Sequence, residues 1–442
     1  MSGAVTTYPD PPDRPSDDAA TVLVDGEEVF VHETPVGSSA QFEFHGTTTV
    51  EIERADGFEQ VAVRPLSAAI DVNRDGNRTA FELFDPANLR IEFDGDLRTP
   101  VWPFANRPID DPPTPDEPGV HYVEAGTVQD VGRLWLADGE EVYLEGGAVL
   151  RGTIGTRGAD DVAIRGHGIV DPPADGDNGR FIHFHQTSGL RIDGPVVLNP
   201  YDPDNWTLTP VACEDVTITD TKILGWSAND DGIDVVGSSR VLIEDCFIRT
   251  RDDCVAVKAT TKAAAGDRDV GARDVDDVTV RDCVCWNGPW GNALEIGYET
   301  ATESIRDVTF EDCDIIHAEP EGYTSGGVFT IHNGDRAAIE DVTYRNLRVE
   351  DAWDKLIDIK IQYSRYSVDH DERGSVSDVH FDGIDVVDGR LPPSLIQGCD
   401  ADTHVGDITI ANLRVFGEPV RDKHEANLID EYVDDVRFVT SR

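Results

Sequence analysis

SSRVLIEDCFI (238–248), VDDVTVRDCVC (275–285) and IRDVTFEDCDI (305–315) are three copies of one phrase, and their reading decides the fold. Each holds a short run rich in β-branched residues, an Asp, a Cys and a further apolar residue. Such a run signals a strand, and a polar residue at a fixed end signals a turn. Working outward, ADDVAIRGHGI (159–169), TSGLRIDGPVV (187–197), CEDVTITDTKI (213–223), IEDVTYRNLRV (339–349), VSDVHFDGIDV (376–386) and VGDITIANLRV (405–415) bring the copies to nine. Their leading apolar residues are Val162, Leu190, Val216, Val241, Val278, Val308, Val342, Val379 and Ile408, spaced 25 to 37 residues apart. Leucine-rich repeats need regular Leu and Asn signatures that are missing here, and a propeller blade needs four strands per ~40 residues. One short strand per repeat with variable loops suits a right-handed parallel β-helix, whose coils pair ~4.8 Å apart. The fold class expected is therefore all-β, and Cys246, Cys283 and Cys313 should form an inward stack.

A second ladder runs between these strands: IDVV (233–236), CVAVK (254–258), ALEIG (293–297), VFTIH (328–332) and LIDIKI (356–361). Alternation turns its apolar residues inward and leaves Asp234, Glu295, His332, Asp358 and Lys360 on the outer face. One side of the solenoid thus collects ionisable groups from successive coils.

The chain upstream reads differently. Residues 1–20 are rich in Pro, Asp and Ser and are expected to be loose. TVLVDGEEVFVHE, QFEFHGTTTVEIER, VAVRPL, TAFELF and LRIEFDG then alternate between turn residues, which suggests a small antiparallel β-sandwich over 21–107. A Pro-rich linker over 108–119 leads into a β-helix over 120–442. Asp71-Val72-Asn73-Arg74-Asp75-Gly76 with Glu82 matches a calcium-loop pattern, but between strands a hairpin turn is the better reading.

Composition narrows the partners. Of 442 residues, 87 are Asp or Glu against 37 Lys or Arg, a formal charge of −50. Such a surface repels nucleic acid and anionic membranes. Abundant acid with only six lysines suggests a salt-loving microbe, because concentrated salt screens self-repulsion. The seven cysteines read as free thiols in a reducing compartment, and with no export signal visible a cytoplasmic location is expected. No Cys/His spacing or phosphate-cradling loop implies a metal or other cofactor.

Chemistry concentrates in NDDGIDVVGSSRVLIEDCFIRTRDDCVAVK (229–258). Asp231 and Asp252 are 21 residues apart, about one coil, so their carboxylates should meet across the ladder. Hydrolysing a glycoside needs one protonated acid and one carboxylate that activates water or attacks carbon. Asp-Asp pairs also occur at Asp17-Asp18, Asp110-Asp111, Asp160-Asp161, Asp276-Asp277 and Asp434-Asp435, so a pair alone means nothing. Position at the mouth of the charged ladder distinguishes Asp252-Asp253.

The same stretch resembles the core of polygalacturonases, glycoside hydrolase family 28. The dextranase family 49 shares that fold and the aspartate trio. The resemblance implies an inverting hydrolase with Asp252 as general acid and with Asp231 and Asp253 activating water. Asn229, Asn292, Glu295, Lys360, Trp290 and Lys258 are the candidate substrate-binding residues. Departures accompany the match. Gly291-Asn292-Ala293 stands where the family has Gly-His-Gly, Glu295 replaces a serine, and Asp358-Ile359-Lys360 replaces Arg-Ile-Lys. The Arg and Lys of that family grip a uronic carboxylate, so Asp358 would repel an anionic sugar there, and a neutral or only partly anionic glycan is expected as readily as galacturonan. Asp230 replaces a threonine, for no purpose visible in the sequence. Trp226 and Trp290 flank the site and could stack on sugar faces. Gly166-His167-Gly168 mimics the family motif two coils early and reads as a turn. The expected function is hydrolysis of a pectin-like or α-linked oligosaccharide or polysaccharide. A polysaccharide lyase, with Lys360 drafted as base, and a non-catalytic glycan-binding solenoid are the alternatives.

Overall fold

The computed structural model describes residues 5–12, 14–173, 181–199, 205–260, 271–319, 326–368 and 372–440. From Val120 onward the chain coils into a parallel β-helix, right-handed as parallel crossovers are. The reference strands found by the repeat pair in order and in register: Val216 faces Val241, which faces Val278, which faces Val308. They belong to a 13-stranded sheet, and the remaining strands form a continuous 21-stranded sheet. That larger sheet holds two ladders. A corner ladder includes Lys222–Gly225, Phe247–Thr250, Val284–Asn287 and Asp314–Ala318. The site ladder includes Leu208–Val211, Ile233–Val236, Val255–Ala259, Leu294–Thr300, Phe329–Asn333 and Ile357–Ile361.

Turn stereochemistry explains the polar residue that ends each copy. Asp220, Asp245, Asp282, Asp312, Asn346 and Asn412 all have φ between 46° and 55°. That left-handed region is costly for most side chains and is tolerated best by Gly, Asn and Asp. Asp161, Asp215, Asp277, Asp307, Asp341 and Asp378, each just ahead of the leading apolar residue of its copy, take the same conformation. The second members of two Asp-Asp pairs, Asp161 and Asp277, thus take this left-handed conformation, and part of the acidity of the chain is backbone geometry. Inside, one apolar cluster runs the length of the helix and includes Cys246, Cys283 and Cys313. Each of these thiols is free and donates to a carbonyl two residues upstream, at 3.1–3.3 Å.

Residues 5–106 form a seven-stranded and a five-stranded sheet whose buried residues share one apolar cluster. Two expectations are corrected here. The pairing is not wholly antiparallel, because Val101–Asn106 runs parallel to Gly37–Phe44. The first twenty residues are not loose throughout: Val5–Thr7 is a strand on Gly37–Phe44, and the buried Tyr8 hydroxyl donates to Glu43 at 3.0 Å. Residues 1–4 and 13 lie outside the described ones. Asn73–Asp75 and Arg78–Leu83 form a hairpin with Asp75 opposite Arg78, so the calcium-like stretch turns as a hairpin.

These sheets cover the corner ladder. Trp102 and Phe104 pack on Phe247, and Lys222 donates to Asn106 at 2.7 Å. His167 belongs to the same junction, bonded to the Arg107 carbonyl at 2.8 Å and stacked on Tyr8. The site ladder, on the neighbouring face, is left to carry the cleft.

Candidate active site

In each coil the segment just before the site-ladder strand forms the rim of a cleft of about 440 Å³. Coil-to-coil backbone bonds continue through this rim. Thr207 N–H donates to the Asp231 carbonyl, Gly232 to Asp253, and Cys254 to Asn292, at 2.8–2.9 Å. The rim is therefore ladder, not free loop, and side chains on it are held as firmly as on a strand.

Asp231, Asp252 and Asp253 converge there, with one carboxylate oxygen of each lying within 4.8 Å of the others. Lys258 reaches up from the ladder to 2.5 Å from Asp231, 2.8 Å from Asp234 and 3.6 Å from Asp253. Its ammonium also sits 4.2 Å above the Trp206 ring. Burial, with Asp231 and Asp253 adding their charge, holds the Asp252 carboxyl well above the usual carboxylate range. Burial likewise pushes Asp253 up to about 8, although Lys258 and Asn292 pull it down. Both carboxyls are thus disposed to hold a proton, and the upward shift of Asp252 suits it to the part of an acid.

Two neighbours fix the trio. Asp230, whose purpose the sequence did not show, is fully buried, and its Oδ1 accepts the N–H groups of Arg251 and Asp252. Asn292 donates its backbone N–H and its Nδ2 to Asp253 Oδ1 at 2.8 and 2.9 Å, while its Oδ1 accepts from Gly327. Both ends of that amide are used inside the protein.

Of the nine residues singled out by sequence, Asp231, Asp252, Asp253, Asn229, Asn292, Trp290 and Lys258 line the cleft. Glu295 and Lys360 do not, which corrects their reading as substrate contacts. Both are buried in a second charged network under the site. His332 joins Glu295 at 2.9 Å and Asp358 at 3.1 Å, and Lys360 meets Asp358 at 2.9 Å. The outer face of the ladder is outward from the coil yet covered, so Asp234, Glu295, His332 and Asp358 have no measurable exposure. Trp226 is not in the lining either: Arg249 and Arg251 lie 4.8 and 5.2 Å over its ring.

Sequence reading missed Trp206, Ala228, Tyr298, Glu299, Gly326, Arg365 and Tyr366, which complete the lining. Trp206 and Gly326 follow the rim rule, since each sits shortly before a site-ladder strand, and that rule would have found them. Tyr298 and Glu299 extend the far end of Leu294–Thr300, where Tyr298 stacks on His332 at 4.5 Å. Arg365 and Tyr366 come from the segment after Ile357–Ile361 and carry no local signal.

Fold and site together define a parallel β-helix protein with an aspartate trio on a glycan-sized cleft. The chain belongs to glycosyl hydrolases family 28, whose family model matches residues 150–427. Among curated proteins it is 25% identical over 287 residues to the probable endopolygalacturonase E of Aspergillus niger, covering 59% of this chain and 69% of that one. It spans only 35% and 34% of two probable polygalacturonases of Arabidopsis thaliana. Among solved structures, Dex49A from Penicillium minioluteum superposes with a TM-score of 0.67 at 14% identity, covering 98% of this chain and 96% of that one. The family 28 exopolygalacturonase of Yersinia enterocolitica gives 0.53 at 13% identity, covering 99% and 96%. At these identities the likenesses show the fold alone.

Proposed function

We propose that the chain hydrolyses O-glycosidic bonds of a pectin-like or α-linked glycan, with inversion at the anomeric carbon. The observation that carries this is the convergence of Asp231, Asp252 and Asp253 on one cleft, with Asp252, whose carboxyl burial holds above the usual range, beside two carboxyls that Lys258 attends. Asp252 gives its proton to the glycosidic oxygen as the C1–O bond breaks. A water held by Asp231 and Asp253 adds to C1 and releases its proton to that pair. Solvent then returns a proton to Asp252 and takes one from the pair, so one water is consumed per bond.

The cleft fittings favour an uncharged sugar at the cleaved bond. Asp231, Asp252, Asp253 and Glu299 line it against Lys258 and Arg365, and Trp206, Trp290, Tyr298 and Tyr366 offer ring faces. Asp358 stands where the family resemblance has Arg and holds Lys360 away from the cleft. The relatives named as polygalacturonases support the pectin-like side of the reading, and the Dex49A likeness supports the architecture alone. Lys360, the base that a lyase reading would need, is buried on Asp358.

The stereochemistry is the sharpest test. Inverting pairs usually stand about 6.5–9.5 Å apart and retaining pairs about 5–5.5 Å, and this trio is as tight as the second class. Inversion is proposed from the resemblance to family 28, which implies one aspartate as acid and two others holding the water. Proton NMR of the first product should show the inverted anomer. A retained anomer would instead make Asp231 or Asp253 a nucleophile.

A further inference from the structure

The three members of the trio are not treated alike by their surroundings. Lys258 sits on the strand that follows Asp252 and Asp253, almost fully buried, and its described ion pairs go to Asp231, Asp234 and Asp253. Asp231 and Asp234 reach it from the preceding coil, Asp253 from its own, and Glu299 acts on it from the next. The Trp206 ring closes the remaining side at 4.2 Å. Among the described residues no ion pair joins Lys258 to Asp252. The ammonium therefore touches both carboxyls assigned to water and stands off from the assigned acid.

We propose that Lys258 is a positioning residue of the hydrolytic step: its fixed ammonium, in contact with Asp231 and Asp253 and not with Asp252, favours the charged form of the first two over that of the third. This rests on the hydrolase reading above. The physics is a matter of distance. A positive charge in contact with a buried carboxylate offsets part of the desolvation that favours its protonation, and because the attraction weakens with distance Lys258 also acts on Asp252, but from farther away. Without such a cation, three carboxyls within 4.8 Å would compete for protons on nearly equal terms. Asp234, bonded to the same ammonium from below, anchors it against swinging into the cleft. The flat Trp206 face adds a cation–π contact that a neutral side chain would forfeit.

Carboxyl titration by carbon-13 NMR of aspartate-labelled full-length protein tests this without needing turnover. Asp231→Asn, Asp252→Asn and Asp253→Asn spectra assign the signals. In Lys258→Met the Asp231 and Asp253 signals should titrate at least one unit higher than in wild type, while Lys258→Arg keeps them within about 0.3 unit. On any glycan the wild type cleaves, the acidic limb of kcat/KM should move with those signals in Lys258→Met and stay in place in Lys258→Arg. Unmoved signals in a folded Lys258→Met, or an equal rise in Lys258→Arg, would overturn the proposal. Should Lys258→Met not fold, the Lys258→Arg titration still decides by the same criterion. A wild type that cleaves nothing yet shows the expected titrations defeats the hydrolase reading and leaves the electrostatic assignment standing.

Discussion

Asp230 holds Asp252 through the backbone: one carboxylate oxygen, Oδ1, accepts the N–H groups of Arg251 and Asp252 at 2.8 and 3.0 Å, while Oδ2 accepts from Ser227. An acid on one coil thereby fixes the peptide that carries the proposed proton donor on the next. Burial pushes Asp230 up to about 7, although those amides and Arg249 favour its charged form. Asp230→Asn would turn an amide N–H toward at least one of the three donors. Turnover should slow by roughly 10-fold or more while KM stays within about threefold, since the change acts on geometry at the reacting atoms. Steady-state kinetics check it, and unchanged turnover would contradict the positioning role.

Gly291 is needed for a different reason. A Cβ there would lie 2.3 Å from the Asp253 nitrogen and 2.4 Å from the Asp252 carbonyl carbon. Those are backbone atoms of a paired rim and cannot move aside cheaply. Gly291→Ala should slow turnover roughly 100-fold, the scale of a 1 Å misplacement. Circular dichroism should still show a folded β protein. Full activity in that variant would mean that the rim is softer than its hydrogen bonds indicate.

How far the sequence carried the reading follows from what repeats. The reference ladder was legible because its αL turns demand Asp, Asn or Gly at one position, as at Asp245, Asp282 and Asp312. The trio was legible because Asp252-Asp253 follows Asp231 by one coil at the mouth of the charged ladder and because the stretch resembles family 28. Depth was not legible. Alternation tells that Glu295 and Lys360 leave the coil outward, but not that neighbouring segments cover them. Arg365 and Tyr366 enter the cleft through a loop whose path no local pattern dictates. The parallel pairing of Val101–Asn106 with Gly37–Phe44 was hidden for a related reason, since short alternating strands read alike whichever way they run.

The buried network below the cleft sets a pH window. Burial disfavours charge on His332, but Glu295 and Asp358 outweigh it and raise the imidazole to about 9. The folded value exceeds the unfolded one, so this stabilisation is complete below about 6.5 and is lost as pH rises through about 9. It amounts to about 3 kcal/mol. Asp358 runs the other way: despite its burial, His332, Lys360 and Lys355 hold it at about 2. Its contribution is present above about 3.9 and is lost as pH falls toward 2. Thermal melts at pH 6 and pH 10 should show a larger loss for wild type than for His332→Gln. Equal losses would show that His332 is uncharged in the folded protein.

Salt should stabilise the chain. The αL aspartates stack coil upon coil, and partial burial together with Asp245 and Asp312 holds Asp282 above its ordinary value. With a formal charge of −50, this repulsion is weakened as the screening length shrinks from ~10 Å at 0.1 M to ~3 Å at 1 M salt. The melting temperature should climb steadily from ~0.1 M to ~3 M KCl. A flat or falling curve would remove the case for a salt-adapted protein.

The central claim is that Asp252 delivers the proton that breaks a glycosidic bond. Release of reducing ends in ~3 M KCl, a concentration chosen to screen the acidic surface, tests it most directly. Wild type and Asp252→Asn would be compared on oligosaccharides of polygalacturonate, rhamnogalacturonan, dextran and pullulan. The account predicts release by wild type from at least one of these and a loss of roughly 1,000-fold or more in Asp252→Asn, about 4 kcal/mol of transition-state stabilisation. A folded wild type that releases nothing, or an Asp252→Asn variant that matches it, would contradict the account.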